Sequence, residues 1–359
     1  MSETTTMAQP AVLSDLTVAP RDPSIAERLA ARWAEKTMPP GALGRLMALG
    51  TALGVAQDTD RPAGSPAEAI VFAADHGLVE EGVSAWPQAV TALMVERLCV
   101  GDAAASVMAR AAKARMQVVD IGVATPYRLP PPGLVSAPIR PGTRNALVED
   151  ALTRDEVERA LRLGADAVRE AVSRGARVLV LGEMGIGNTA SASLVAHAVA
   201  GLDLDDLVGP GAGLDADGVA SKRAVLRRVA ARRPGRLDAV TALSAFGGLE
   251  IAAMTGAMIA GAADRAAVLV DGFIASAAAL AAVTLRPEIR PSLLFAHRSA
   301  EPGHRQMLEA LGAAPLLDLD MRLGEGTGAL AALPMAEMAA RLLQEMATFE
   351  SAGIGREPD

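Results

Sequence analysis

The chain has little of several residue types, and each shortage argues against a class of protein. Among 359 residues there is one cysteine, Cys99, and aromatic side chains make up 2%. A lone thiol cannot form an internal disulfide, which argues against a disulfide-stapled secreted domain and favours a buried cysteine in a reducing cytoplasm. The shortage of aromatic residues argues against a β-sandwich and favours close packing of helices on a sheet.

The chain also lacks an excess of positive charge and a long uncharged hydrophobic run. Its formal net charge is −8, so it lacks the basic surface that binding to DNA or RNA requires. One basic cluster, 222–233, is typical of a solvated helix face. The apolar stretch 266–283 contains Asp271, and the N-terminus has no basic region followed by an apolar one. We therefore expect neither nucleic acid nor a membrane as a partner.

What the chain does have is apolar residues in a regular alternation. They make up 51% of the sequence, enough for a large core without metals or disulfides. Short apolar runs alternate with Ala- and Leu-rich helical segments, such as 153–175, where Thr153 and Glu156 have the spacing of a capping box. This alternation predicts a doubly wound α/β fold with a mostly parallel sheet and ligands at the carboxyl ends of the strands. The predicted strands are 69–75, 116–123, 177–184, 266–272, 292–297 and 315–321.

The two ends of the chain differ from this alternating core. Residues 1–22 are polar and interrupted by proline, so a disordered N-terminal tail is expected there, and 350–359 are expected to form a second tail. Helical patterns at 23–60 and 328–349 flank the core at 61–327. We expect them to pack together as a small helical subdomain.

A glycine-rich turn follows the third predicted strand. GEMGIGNTASAS, from Gly182, nearly matches the phosphate-binding P-loop, with Asn188 in place of its lysine and Thr189 after it. Converging backbone N–H groups and a helix N-terminus form an anion site without that lysine, which suits a mononucleotide phosphate better than a hydrolysed triphosphate. The alternative is a tight turn that binds nothing.

Two further loops carry a candidate charge. GPGAGLDADGVASKR leads from Gly209 to Lys222, whose ammonium group either reaches a phosphate on the first loop or is solvated on a helix face. LGEGTGA places Glu325 between two glycines after the last predicted strand. A partly desolvated carboxylate that faces a cleft can act as a general base, and the alternative is a loop glutamate in water.

A fourth segment, FAADHGLVEEGVSAWPQAVT, suits a flat heteroaromatic ligand because it combines an aromatic ring, a proline and hydrogen-bonding groups. A buried tryptophan anchor is the alternative. Its relevant residues are Asp75, His76, Ser84, Trp86, Pro87 and Gln88.

Metal and nucleophilic catalysis have weaker support. His76, His297 and His304 follow no strong zinc-binding spacing, so we expect them to make hydrogen bonds in or near the cleft. No G-x-S-x-G segment is present, which argues against Ser/His/Asp catalysis. We expect no metal and no cofactor.

Seven segments occur in one order along residues 36–335. They are DHGLVEEGVSAWPQ, GEMGIGNTASAS, VGPGAGLDADGVASKR, GGLEIAAMTGAMIAGA, VLVDGFI, AHRSAEPGH and LDLDMRLGEGTGA. Together they resemble the nicotinate-nucleotide:dimethylbenzimidazole phosphoribosyltransferases of cobalamin lower-ligand synthesis. The resemblance implies a Rossmann-like core with a small helical domain, a homodimer, and phosphoribosyl transfer from nicotinate mononucleotide to 5,6-dimethylbenzimidazole or a related base.

The resemblance and the loops above together assign roles to individual residues. Glu325 is expected to be the general base. The residues expected at the aromatic base are Ser84, Trp86, Pro87, Gln88, Met184 and Leu323. Those expected at the nucleotide and its phosphate are Glu183, Gly185, Ile186, Gly187, Asn188, Thr189, Lys222, Asp271 and Gly272.

Some positions depart from the family's common pattern. Family members commonly have KPPGSLGRLE, GNTT and VGRGTG, where this chain has Met38, Ala42, Ala190, Pro210 and Ala212. Lost hydroxyl groups and an absent arginine would weaken phosphate contacts or change the accepted base.

Two rival functions stay open on the sequence. One is a nucleotide kinase or hydrolase with a degenerate P-loop, against which Asn188 at the lysine position argues. The other is a nucleotide- or base-binding paralogue without turnover, against which Glu325 argues.

Overall fold

A computed structural model of the chain describes residues 16–354, and its centre is a six-stranded parallel sheet. The strands are β1 (Ala67–Ala74), β2 (Arg115–Gly122), β3 (Leu134–Ser136), β4 (Val178–Met184), β5 (Ala267–Val270) and β6 (Leu293–Phe295). Their order is β3-β2-β1-β4-β5-β6, which changes direction between β1 and β4. Doubly wound sheets bind ligands at such a switch point. The predicted doubly wound α/β fold is confirmed.

Helices flank the sheet. They are α1 (Ile25–Ala34), α2 (Arg45–Gln57), α3 (Val90–Val100), α4 (Ala104–Ala111), α5 (Arg154–Ser173), α6 (Asn188–Ala200), α7 (Leu204–Leu207), α8 (Ala216–Ala230), α9 (Ala239–Phe246), α10 (Leu249–Ala263), α11 (Phe273–Leu285), α12 (His304–Ala310) and α13 (Thr327–Glu345). Two 3-10 segments, Gly77–Glu81 and Pro287–Ser292, and two short strands, β7 (His297–Arg298) and β8 (Leu317–Asp318), complete the described elements.

The alternation of side chains along β1 divides the core into two layers. Ile70 and Phe72 lie in a cluster with apolar residues of α5, α6, α9, α10 and α11. Ala69 and Val71, on the opposite face, lie in a second cluster with α2, α3, α4 and α13. Because successive strand residues point to opposite faces, a strand buried on both sides consists of apolar residues throughout its length. This explains why β1 is buried at every position.

Five of the predicted strands correspond to β1, β2, β4, β5 and β6. The sixth, 315–321, does not join the main sheet, because only Leu317–Asp318 pairs, with His297–Arg298, in a separate two-stranded sheet. Its acidic residues Asp318 and Asp320 are exposed, which a central strand would not allow. Strand β3 was not predicted, because its three residues are largely exposed at the sheet edge.

The predicted capping box at the start of α5 is confirmed. The Thr153 Oγ1 accepts a hydrogen bond from the Glu156 amide at 3.1 Å, and a Glu156 carboxylate oxygen accepts one from the Thr153 amide at 2.7 Å. Two otherwise unpaired N–H groups at the helix start are thereby satisfied.

The two ends of the described chain pack against each other. Trp33 of α1 and Leu343 of α13 lie in one apolar cluster, and the Lys36 ammonium group donates to the Met346 carbonyl at 2.7 Å. Residues 1–15 and 355–359 of the predicted tails lie outside the described residues. From 16 to 22 the chain is anchored on the core, because Leu16 is buried and Arg21 donates to the Ala262 carbonyl at 2.7 Å. Within 16–354 no helix combines the length and the apolar character needed to cross a membrane.

Candidate active site

A cleft opens at the carboxyl ends of β1 and β4, where the strand order changes direction. Loops that follow the parallel strands form its walls, as expected for this class of sheet. The cleft is lined by 183–189, 271–274 and 322–325, together with Val83, Ser84, Gly211, Ala212, His297, Ser299 and Glu301.

The loop after β4 forms one end of the cleft. Helix α6 begins at Asn188, and Gly187 before it has a φ of +93° and provides no capping side chain. Neither Gly185 nor Gly187 has room for a side chain, since a Cβ would lie 2.3 Å from the Ala74 carbonyl oxygen and 2.6 Å from the Val79 side chain. The Asn188 and Ala190 amides at this helix start donate to the Gly185 and Gly187 carbonyls at 3.1 and 3.0 Å, so the attraction for an anion comes mainly from the positive end of the helix dipole.

Lys222 of α8 brings a buried ammonium group to this loop. Its Nζ donates to the Thr189 hydroxyl at 2.9 Å and to the Gly209 carbonyl at 3.2 Å. Lys222 is only 1% exposed, so the solvated helix face considered from the sequence is wrong for this residue. Burial lowers the pKa of Lys222 to about 8, and the charge of Glu301 opposes that shift.

Glu325 lies in a tight loop that lines the same cleft. It has a φ of +60° between two glycines that also have positive φ. At Gly182 on β4 a Cβ would lie 2.5 Å from the Glu325 carbonyl carbon, so only glycine lets the loop come this close to the strand. The Glu325 carboxylate is buried and accepts a weak 3.4 Å hydrogen bond from the Ala105 amide. Burial raises the pKa of Glu325, the Ala105 amide opposes this, and the charge of Asp271 adds to it.

Two more carboxyl groups, Glu183 and Asp271, lie in the same cleft. Glu183 accepts a hydrogen bond from the side-chain amide of Asn188, and Asp271 accepts one from the backbone N–H of Ala329 at 2.9 Å. Burial raises the pKa of Glu183 well above its ordinary value, and the charge of Asp271 adds to the shift. Burial also raises the pKa of Asp271, which the nearby His297 opposes. Buried carboxyl groups whose charges act on one another cannot all be ionised at low cost.

The three histidines singled out from the sequence lie near the cleft. His76 is buried behind the glycine loop, with its Nε2 at 2.8 Å from a Glu250 oxygen and its Nδ1 at 2.9 Å from the Ser191 hydroxyl. His304 accepts from the Ser299 amide at 2.7 Å. His297 lines the cleft itself. Their expected hydrogen-bonding role is thus confirmed for His76 and His304, and within 16–354 no group of three His, Cys, Asp or Glu residues is arranged for a metal.

The residues expected at the aromatic base divide into two groups. Ser84, Met184 and Leu323 line the cleft. Trp86 lies at its rim, 53% exposed, with its indole N–H donating to the Ala212 carbonyl at 3.0 Å. Pro87 and Gln88 are also outside the lining, and the Gln88 side chain donates to the His76 carbonyl at 3.3 Å. Except for Lys222, all the residues expected at the nucleotide line the cleft.

Comparison with known proteins shows the family of the chain. A family model described as a phosphoribosyltransferase matches residues 18–354. A relative from Ralstonia nicotianae, named nicotinate-nucleotide--dimethylbenzimidazole phosphoribosyltransferase, is 50% identical over 94% of this chain and 95% of its own length. The chain belongs to this phosphoribosyltransferase family. The resemblance inferred from the seven segments is confirmed.

Other members of the family support the same placement. A relative from Variovorax paradoxus with the same name is 45% identical over 93% of this chain and 95% of its own length. The crystal structure of CobT from Thermus thermophilus superposes with a TM-score of 0.89 at 41% identity, covering 93% of this chain and all of that one. The family likeness therefore extends over the whole described fold.

Several lining residues were missed by the sequence analysis. Ser299, Glu301 and Arg322 face the cleft, and Arg322 donates to the Gly211 carbonyl at 3.0 Å. Ser299 and Glu301 lie in AHRSAEPGH, shortly after β6, so the rule that ligands lie beyond strand ends would have found them. Of the five departures from the family pattern, Ala212 alone lines the cleft.

Proposed function

We propose that this protein transfers the 5-phosphoribosyl group of nicotinate mononucleotide to 5,6-dimethylbenzimidazole or a related base, giving nicotinate and α-ribazole 5′-phosphate. The observation that carries the proposal is that one cleft joins an anion site to a buried carboxylate. The anion site consists of 185–189 with Lys222 beside it, and the carboxylate is Glu325. One cleft can therefore hold the phosphate of the donor and accept the proton of the acceptor base.

The nucleotide binds with its phosphate at the start of α6. The dipole of that helix and the ammonium group of Lys222 supply the positive potential. Glu183 and Asp271 then lie alongside the ribose, where whichever of the two is ionised stabilises the positive charge that develops on the sugar as its bond to nicotinate breaks. The acceptor base lies near Ser84, Met184 and Leu323, which line the same cleft.

The transfer is a single displacement at the ribose C1′. One ring nitrogen of the neutral benzimidazole attacks C1′, the bond to the pyridinium nitrogen breaks, and its electron pair stays on nicotinate. The other ring nitrogen loses its proton to Glu325. Attack on the face opposite to the leaving group inverts the anomeric centre, which gives the α-ribotide. Because the leaving group is already cationic, the protein contributes mainly alignment and a base.

The test is to incubate the protein with both substrates and to quantify nicotinate and ribotide by chromatography and mass. The proposal predicts equal amounts of the two products and little nicotinate when the base is left out. Nicotinate release that is independent of the base would indicate hydrolysis instead. Binding of the nucleotide with no product would favour the paralogue without turnover.

We also propose a homodimer that acts in the cytoplasm. Leu93 and Val100 of α3 and Val107 of α4 are apolar yet 57%, 55% and 49% exposed, which supports a surface covered by a second copy. Light scattering on the purified protein is expected to give twice the mass of one chain, and Leu93→Asp is expected to reduce it toward that of one chain. A wild-type mass equal to one chain would contradict the dimer. For the cytoplasm the support is that Cys99 is the single cysteine of the sequence, so the chain forms no internal disulfide.

We also propose that the chain is divided into an α/β core and a helical subdomain formed by α1, α2 and α13. The apolar cluster that joins Trp33, Met47 and Leu343 supports it.

A further inference from the structure

Glu301 is a buried carboxylate at the anion end of the cleft with no role so far. The residue is 5% exposed, and neither carboxylate oxygen accepts a hydrogen bond of normal geometry from the described residues. At Gly209 a Cβ would lie 2.2 Å from one of these oxygens, so the carboxylate lies directly against the loop that Lys222 contacts. A buried carboxylate whose oxygens lack well-formed hydrogen bonds is costly, so a native structure that keeps one has a use for it.

The charges around Glu301 come from three directions. Burial raises its pKa, whereas the Lys222 ammonium group, the nearby Gly211 amide and the Arg322 guanidinium oppose that shift. His304, on the adjoining α12, contributes no charge near neutral pH because burial lowers its pKa to about 3. On the outer side, Glu301 lines a second small cavity with Arg298, Arg305, Asp318 and Asp320.

A phosphate in this cleft would place two negative groups against one buried lysine. Two buried like charges repel strongly, and one of them must lose its charge. A phosphomonoester can do so, because its second pKa is about 6 and it can carry a proton near neutral pH. One proton shared between a phosphate oxygen and the Glu301 carboxylate removes one charge and gives both groups a strong hydrogen bond. A phosphodiester or a sulfate has no such proton and would leave the carboxylate unpaired.

We propose that Glu301 is a specificity-determining residue that selects a proton-bearing phosphate by sharing one proton with it and rejects anions that cannot carry that proton. The proton is taken from solvent when a phosphomonoester dianion binds, and no other bond changes. This inference rests on the proposed function to the extent that the phosphate of nicotinate mononucleotide binds at this end of the cleft.

Direct titration calorimetry with inorganic phosphate and with sulfate tests the inference independently of turnover. At pH 8 both are dianions, but only phosphate keeps a proton. Wild-type protein is expected to bind phosphate more tightly than sulfate by a factor on the order of ten, because sulfate leaves a buried acceptor unpaired. In Glu301→Gln, whose amide can donate to either anion, the ratio is expected to fall close to one. The matched control Asp320→Asn, at an exposed carboxylate outside the cleft lining, is expected to keep the wild-type ratio.

Proton uptake gives a second measurement. Nicotinate mononucleotide is titrated between pH 6 and 9 in buffers of different ionisation enthalpy. The wild-type protein is expected to take up more protons than Glu301→Gln, by on the order of half a proton at the maximum. At pH 7 Lys222 contributes only about 0.1 proton, because a group with a pKa of about 8 is mostly charged there.

Equal binding of phosphate and sulfate by the wild type, or an unchanged ratio in Glu301→Gln, would overturn the inference. If the wild type selects phosphate but releases no nicotinate with both substrates, the proposed function fails and the selection by Glu301 stands. If Glu301→Gln does not fold, equal binding of phosphate and sulfate by the wild type would still overturn the inference.

Discussion

At the scale of single residues, the cleft and its surroundings contain buried carboxyl groups and a buried ammonium group. Burial raises the pKa of Glu325 and Glu183 and lowers that of Lys222. Pairs of groups whose pKa values are pushed in opposite directions often divide the roles of base and anion binding in an active site. This separation supports Glu325 as the base and Lys222 as the phosphate contact.

Replacing Glu325 by glutamine tests its role as base. The change keeps the shape of the side chain but removes the proton acceptor, so kcat is expected to fall by about 10² to 10⁴. The KM for nicotinate mononucleotide is expected to stay within about twofold, since Glu325 serves the proton transfer and does not hold the phosphate. Steady-state nicotinate release measures both values. Glu309→Gln, at an exposed carboxylate paired with Arg305, is the control, and a kcat equal to wild type in Glu325→Gln would exclude the role.

The pH profile of kcat/KM is expected to have two limbs. Glu325 acts when ionised, and because its pKa is raised, activity is lost on acidification at a higher pH than an ordinary glutamate would give. Lys222 binds phosphate when charged, so kcat/KM for the nucleotide is expected to fall as pH rises through about 8. Initial rates at low nucleotide concentration between pH 5 and 9 show both limbs, and a flat profile would contradict both assignments.

Lys222→Met removes the charge without removing the apolar stem. The KM for the nucleotide is expected to rise by on the order of tenfold or more, because a charge-assisted hydrogen bond is lost. The part of the alkaline limb near pH 8 that comes from Lys222 is expected to disappear. Arg228→Met, at an exposed arginine of the same helix, controls for a general loss of positive charge. An unchanged KM in Lys222→Met would argue that the phosphate binds elsewhere.

At the scale of elements, the strands and helix starts that depend on local sequence were predicted correctly. Doubly buried apolar runs predicted β1, β2, β4, β5 and β6, and the Thr153–Glu156 spacing predicted the start of α5. The run 315–321 was wrongly predicted as a strand of the main sheet. Its leucines suit a buried strand, but the aspartates between them require an exposed segment. Nothing in the local sequence of Trp86 shows that its indole turns to Ala212 at the rim, since a contact across 126 residues depends on tertiary packing.

The candidate site was predictable to a similar extent. Loops at strand ends, and a glycine on each side of Glu325, mark the lining residues directly in the sequence. Of the missed residues, Glu301 is marked only by its position after β6, and its contact with the neighbourhood of Lys222 depends on tertiary packing. The same holds for the contact of Arg322 with the loop at Gly211.

Two glycine substitutions separate the position of the Glu325 loop from general packing. Gly182→Ala would place a methyl group 2.5 Å from the Glu325 backbone, and Gly164→Ala would place one 1.8 Å from the Ala253 carbonyl between α5 and α10. Both are expected to lower the free energy of unfolding by about 1 to 3 kcal/mol. Only Gly182→Ala is expected to lower the kcat of the folded protein as well. Denaturant titration and kcat per folded molecule measure the two effects, and equal kcat values would contradict the role of the close approach.

At the scale of the whole molecule, the strand order places the site and the chain ends stabilise the fold. The reversal between β1 and β4 brings together loops that lie far apart in the sequence, from Ser84 to Glu325. The two ends of the described chain pack together against α2, where Trp33 and Leu343 lie in one apolar cluster.

The chain's two tryptophans test this division between stability and site. Trp33 is 4% exposed and Trp86 is 53% exposed. Trp33→Ala is expected to lower the free energy of unfolding by about 3 kcal/mol or more, because it leaves a cavity, whereas Trp86→Ala is expected to change it by less than about 1 kcal/mol. Urea titrations compare the two, and a small effect of Trp33→Ala would show that the two ends contribute little to stability.

The central claim is that the ribose is transferred directly from nicotinate to the acceptor base in one displacement. The most direct measurement is the anomeric configuration of the ribotide, determined by nuclear magnetic resonance on product formed from nicotinate mononucleotide and 5,6-dimethylbenzimidazole. We expect the α-anomer, in an amount equal to the nicotinate released. The β-anomer, or nicotinate released without a ribotide, would contradict a single displacement in this cleft.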